Sequence, residues 1–170
     1  METREWRFTD KSEWGPGEWQ NEPDKMQWQD EETGLPCLIV RGPAGALCGY
    51  VGVARGHPWF GVDYSACAQK PTCGEDYCDH GPGSTVRVHG GLTYSDKCTE
   101  SEHGICHVVQ SGEDDHVWWF GFDCAHYQDF APKYHSLPQY RMFDEHTIYR
   151  NLSYVKTQIQ RLARQIAAVK

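Results

Sequence analysis

Residues 116–126 read HVWWFGFDCAH, and the fold of the chain turns on them. Val117 to Phe122 is an unbroken aromatic and β-branched run, the composition of a strand buried on at least one face. Asp123, Cys124 and His126 follow at once, three side chains able to bind metal or move protons. A rigid strand thus carries chemistry at its tip, a place that structural and metal-binding clusters share with catalytic ones.

Working outward, two more β-rich runs lie upstream. Pro36 to Arg41 (PCLIVR) and Ala46 to Ala54 (ALCGYVGVA) are separated by Gly42-Pro43-Ala44-Gly45, which predicts a hairpin. Cys37 and Cys48 are expected close together on its two strands as buried small hydrophobes. Ser84 to Ser95 (STVRVHGGLTYS) alternates Val86, Val88, Leu92 and Tyr94 around Gly90-Gly91, predicting a strand broken by a bulge or close backbone approach, with His89 at the break. Downstream, Leu152, Val155, Ile159, Leu162, Ile166 and Val169 recur at spacings of three and four, with Asn151 placed as N-cap. That pattern predicts an amphipathic helix packed on the sheet, a coiled-coil seam being the alternative. Hairpin-joined strands followed by one helix, without βαβ alternation, give an α+β fold. The expected sheet is antiparallel, with at least four strands (36–41, 46–54, 84–95, 116–124) and the C-terminal helix across one face.

Residues 1–34 hold four of the seven tryptophans, Trp6, Trp14, Trp19 and Trp28, amid Gly, Pro and acids, without helical or strand period. They are expected to form an irregular arm pinned to the domain by its indoles, or to offer some of them to a partner. Residues 35–170 are then a single α+β domain. His57 precedes Pro58, which holds it extended and gives its ring a fixed direction.

The net charge of −8 is unevenly spread. Residues 151–170 contain Lys156, Arg161, Arg164 and Lys170 and no acid, so the first 150 residues carry 12 basic against 24 acidic side chains, or −12. Such a body repels nucleic acid and is attracted to a basic surface, including the channel of a nucleic-acid-binding protein; the same charge also serves solubility. Residues 1–34 do not read as a signal peptide, and no apolar run approaches the roughly 20 residues that span a bilayer. A reducing compartment is therefore expected, where eight cysteines favour metal ligation or buried thiols over disulfides.

The cysteines fall into two candidate zinc sets. In YSACAQKPTCGEDYCDHGPG (64–83), Cys67, Cys73, Cys78 and His80 sit in a stretch with too little apolar surface to order itself, and four soft ligands around a tetrahedral zinc can replace that burial. Cys98, Cys106 and Cys124 with His107 (or His126) make the second set. Zinc in either place would be structural, and acid would release it.

The strings TGLPCLIVRG, CGYVGV, HPWFG, VHGGLTYS, ICH and WWFGFDCAH, in this order over about residues 14 to 166, resemble a family of small phage and prophage proteins. The resemblance implies a mobile-element origin and life in the cytoplasm of a bacterial host, without implying an activity. The acidic, cysteine-rich profile is also similar to that of a zinc-containing anti-CRISPR protein of type II systems. The expected role is that of a protein-binding inhibitor of a host defence nuclease, a type II CRISPR effector, without direct nucleic-acid contact. A second possibility is a metal- or His/Asp-dependent hydrolase or transferase using His57, His89, Asp123 and His126. A third is a binder of a small nucleotide signal that stacks on Trp59 or Trp118.

Overall fold

The computed structural model describes residues 1–67, 80–99, 103–109, 116–139 and 146–170. Its centre is a six-stranded antiparallel sheet: β1 (Arg4–Trp6), β2 (Lys25–Gln29), β3 (Pro36–Arg41), β4 (Leu47–Ala54), β5 (Tyr94–Lys97) and β6 (Val117–Asp123), in the order β1-β2-β3-β4-β6-β5. Two single-turn helices, α1 (Pro82–Thr85) and α2 (Pro132–His135), precede the long C-terminal helix α3 (Leu152–Ala167). The fold is α+β, with α3 across one face of the sheet. Among the described residues no helix is long and apolar enough to cross a membrane.

The unbroken apolar run in β6 has its explanation in two buried faces. Trp118, Phe120 and Phe122 point toward α3, while Val117 and Trp119 point the other way. On the helix side, Val155, Ile159, Leu162 and Ile166 of α3 are fully buried against Cys37, Ile39, Val51 and Phe120. Each such side chain contributes about 1.5–3 kcal/mol by leaving water. Gly49 of β4 faces this helix, and a β-carbon there would lie 2.8 Å from the Ile159 side chain and 2.5 Å from the Phe122 ring paired across from it. The glycine lets the helix lie close on the sheet.

The opposite face is smaller. Leu38, Val40, Tyr50, Val117 and Trp119 form a second apolar cluster, covered by Cys98 and Ile105. Here much of the cover is polar. Lys25 donates to the Gly104 carbonyl at 3.0 Å, Gln27 donates to the Val108 carbonyl at 3.2 Å, and the Val108 N–H donates back to Gln27 at 2.8 Å.

That polar cover explains the main departure from the sequence-based expectation. Residues 1–34 are not an irregular arm throughout, because they supply β1 and β2. β2 alternates as a strand should, with Met26 and Trp28 toward the helix, but its other face is Lys25 and Gln27. Long polar side chains bonded to loop carbonyls hide the hydrophobic period. Trp14 and Trp19 are buried, Trp19 stacking on Phe130 at 5.2 Å, whereas Trp6 and Trp28 are half-buried.

The strand expected over 84–95 is also different. Pro82 opens the short helix α1, stabilised by the Ser84 hydroxyl donating to the Gly81 carbonyl at 2.9 Å. Val86 and Leu92 still reach the helix-side core, but pairing begins only at Tyr94. Gly90 and Gly91, both at positive φ (65° and 84°), turn the chain before β5. Nor are Cys37 and Cys48 neighbours. Cys37 pairs with Val51 and faces the helix, while Cys48 pairs with Val40 and belongs to the other face.

A buried charge network closes the edge near the start of α3. Asp24 accepts from Lys11 and from Arg41 Nε, both at 2.8 Å, and from the Phe8 and Thr9 amides. Glu22 lies 3.5 Å from Arg41, accepts from the Tyr149 hydroxyl, and accepts the Leu152 N–H at the helix start at 2.7 Å. Burial by itself raises the Asp24 pKa, and the hydrogen bonds from Lys11, the two amides and Arg41 outweigh it, holding the carboxyl below its usual value. Burial pulls Lys11 downward too, against the Asp24 hydrogen bond that raises it. With Arg41 fixed as a cation beside two carboxylates, the set is two positive against two negative charges.

Candidate functional site

The tip of β6 gathers the most chemically capable cluster among the described residues. Asp129, whose side chain is only 1% exposed, accepts from His89 Nε2 at 2.7 Å, from Arg150 Nε at 2.8 Å and from the His126 amide at 3.1 Å. A carboxylate only accepts, so His89 Nε2 carries a proton toward Asp129, and in the neutral form of the ring Nδ1 is the acceptor for the Tyr154 hydroxyl at 3.0 Å. The result is a line Asp129–His89–Tyr154, an acid orienting a base that faces a hydroxyl. The Arg150 guanidinium stands 5.0 Å from the centre of the Tyr154 ring.

Local structure fixes each member. His89 sits where the chain bends before Gly90, and Tyr154 lies in the first turn of α3, its N–H capped by Asn151 Oδ1 at 3.0 Å. Asp129 follows the turn at Gln128, whose φ of 73° is left-handed, and its backbone bridges Ile148. The His126 ring lies over Gly90, where a β-carbon would collide with it. His126 Nε2 is buried and has no hydrogen bond among the described residues, lying 3.6 Å from Asp123 Oδ1. Asp123 in turn accepts from Thr93 at 2.9 Å and from the Ala125 amide at 3.0 Å.

Of the four residues named from sequence for a possible active site, three come together here: His89, Asp123 and His126. His57 does not. Its Nδ1 accepts the Trp59 amide at 3.1 Å, so Nε2 carries the proton and donates to the Ile166 carbonyl at 3.1 Å near the end of α3. It adds a side-chain donor to a helix-end carbonyl that also accepts the Val169 N–H at 3.1 Å, a structural task. Asp129, Arg150 and Tyr154 escaped the sequence reading, since each is a common residue type without a motif around it. The i, i+3 step from His126 to Asp129 and the i, i+4 step from Arg150 to Tyr154 were the local signals they offered.

The metal-ligand candidates separate. Cys98 and Cys106 are joined by a disulfide, and with His107 their donor atoms lie within 4.8 Å of one another. Cys98 Sγ is 4.0 Å from His107 Nδ1 and accepts from the Trp119 indole N–H at 3.4 Å. Cys124 cannot join them. It is a free, buried thiol in the helix-side core, whereas Cys98 packs on the opposite face beside Trp119. Alternation along β6 put the two sulfurs on different sides of the sheet. Burial, reinforced by Asp129, raises the Cys124 pKa well above that of an ordinary thiol. Burial also pushes Cys48 up to about 11, with Asp123 adding to the rise. In the first set, Cys67 is half-buried and disulfide-bonded, hence not a free thiolate, and His80 is exposed. Cys73 and Cys78 lie outside the described residues.

Compared with protein-family models, curated proteins and solved structures, the chain matches none.

Proposed function

We propose that this chain is an acidic, zinc-holding binding protein of phage or prophage origin. Its role is to inhibit a host nucleic-acid-binding defence protein, a type II CRISPR effector nuclease, by occupying a basic surface in the bacterial cytoplasm. One observation carries the reading: the buried pair Glu22 and Asp24 is neutralised inside the fold, while much of the acidic surplus is on the surface. Glu22 and Asp24 are matched by Lys11 and Arg41. Exposed Asp10, Glu13, Glu31, Asp63 and Asp96 form no ion pair among the described residues. A surplus of this sign on the surface steers the chain toward a basic partner and away from nucleic acid.

The test is association of the purified chain with a type II effector nuclease at low and at high salt. Binding should slow as salt rises, and the combined reversals Asp10→Lys, Glu13→Lys and Glu31→Lys should reduce the association rate about tenfold while leaving dissociation nearly unchanged. No binding at micromolar concentrations, or an association rate indifferent to both salt and charge reversal, overturns the proposal.

The Asp129–His89–Tyr154 line favours one second reading, a His/Asp-dependent hydrolase or transferase. In that case a screen of ester and phosphodiester substrates should reveal turnover lost in His89→Gln and Tyr154→Phe but kept in His57→Gln. Turnover in all three alike, or in none including the unaltered chain, rules this reading out.

A further inference from the structure

We infer that Cys98, Cys106 and His107 are a thiolate–imidazole site for zinc, closed in this structure by the disulfide and opened by reduction. This rests on the reading of the chain as a zinc-holding protein, though not on the identity of its partner.

The donors are already assembled. Tetrahedral zinc, with Zn–S about 2.3 Å and Zn–N about 2.0 Å, sets a sulfur and a nitrogen ligand roughly 3.6 Å apart. Cys98 Sγ and His107 Nδ1 are 4.0 Å apart. Moving the two sulfurs apart to admit the metal therefore needs side-chain adjustment rather than refolding. His107 is buried, its ring 5.7 Å from that of Trp119, while both cysteines are half-buried. Trp119, fully buried in the sheet, donates its indole N–H to the Cys98 sulfur at 3.4 Å. A fixed N–H aimed at sulfur stabilises the thiolate more than the thiol, the usual outer-shell support of a metal ligand.

The face beneath also calls for a link of some kind. Ile105 is the main apolar side chain placed there from this segment, and much of the remaining cover consists of hydrogen bonds from Lys25 and Gln27. Lose the disulfide without replacement and the segment is held weakly. Zinc supplies a second way to tie Cys98 to Cys106 and adds His107 to the tie.

The exchange balances. A dithiol reductant attacks one sulfur of the pair and breaks the S–S bond. Two electrons pass to Cys98 and Cys106, and the reductant leaves as its own disulfide. Zinc binding then releases the two thiol protons.

The experiment uses the full chain, reduced and desalted, titrated with Co²⁺ as a coloured stand-in for zinc. Thiolate-to-cobalt charge-transfer absorption should appear together with partial quenching of the summed tryptophan fluorescence. Cys98→Ser combined with Cys106→Ser should lose one equivalent of this binding, while Cys73→Ser combined with Cys78→Ser keeps it. Prior oxidation of the unaltered chain should abolish the same equivalent. His107→Gln, which leaves the disulfide intact as a route to a folded protein, should weaken binding after reduction by about tenfold or more. Equal cobalt stoichiometry in the unaltered chain and in the Cys98/Cys106 double variant overturns the inference, as does a His107→Gln affinity equal to that of the unaltered chain. Failure of nuclease binding leaves these spectra untouched, and failure of the spectra leaves the charge-steered association standing, so the two proposals fall separately.

Discussion

The two faces of the sheet are built by different means. The helix side relies on area: α3 buries a periodic row of aliphatic side chains against β3, β4 and β6. The other side is covered by a short segment carrying one apolar anchor, a disulfide and hydrogen bonds from Lys25 and Gln27. Hydrophobic cover is indifferent to redox state, whereas cover that depends on a disulfide responds to it. A protein with one face of each kind keeps its core while one surface remains chemically adjustable.

The largest expected loss lies at the edge where the arm, β3 and the start of α3 meet. Asp24→Ala leaves Lys11 and Arg41 as buried cations without their shared carboxylate, costing about 3–5 kcal/mol at pH 7. The folded Asp24 pKa is depressed, so its contribution is present above the unfolded value of about 3.9 and lost as pH falls through the folded value. Urea unfolding at pH 7 and below pH 4 should show the gap between the unaltered chain and the variant narrowing in acid. A gap that does not change with pH means that the network does not hold this carboxylate low.

Next comes the helix side. Leu162, fully buried, should cost about 2–5 kcal/mol on truncation to alanine, with or without reductant. A measured loss below about 1 kcal/mol, or one that depends on reductant, would break the contrast between the faces.

On the opposite side, Cys98→Ser with Cys106→Ser should cost about 2–3 kcal/mol under oxidising conditions by the loop-closure estimate. That loss should vanish when both proteins are compared in reductant with chelator. A difference that persists there means the two side chains support the face by packing rather than by their link.

The smallest effect is expected at the helix end. His57→Ala removes one hydrogen bond to the Ile166 carbonyl, costing about 0.5–1.5 kcal/mol. Hydrogen exchange should report fraying confined to the last turn of α3, with Val155 and the first turns still protected. Loss of protection throughout α3 would make His57 a support of the whole helix-side cover.

How far the sequence reached depended on whether a segment's physics was local. The hairpin of β3 and β4, the strand β6 and helix α3 were legible because period, turn residues and the Asn151 cap all lie within the segments themselves. β2 was hidden, since Lys25 and Gln27 look exposed until the Gly104 and Val108 carbonyls come to meet them from far along the chain. The site at the tip of β6 was half legible: His89, Asp123 and His126 announced themselves by type and position. The carboxylate that orients His89 did not. Asp129, Arg150 and Tyr154 acquire their roles only when the turn at Gln128 and the first turn of α3 come together.

By itself, then, the sequence determined the α+β class, the antiparallel hairpin, the amphipathic helix and the acidic surplus, because composition and periodicity are properties of neighbours in the chain. Tertiary structure alone decided which sulfurs can share a site. Alternation along β6 sends Cys124 into the helix-side core while Trp119 meets Cys98 on the other face, and no spacing along the chain encodes on which side of the sheet a distant loop will lie.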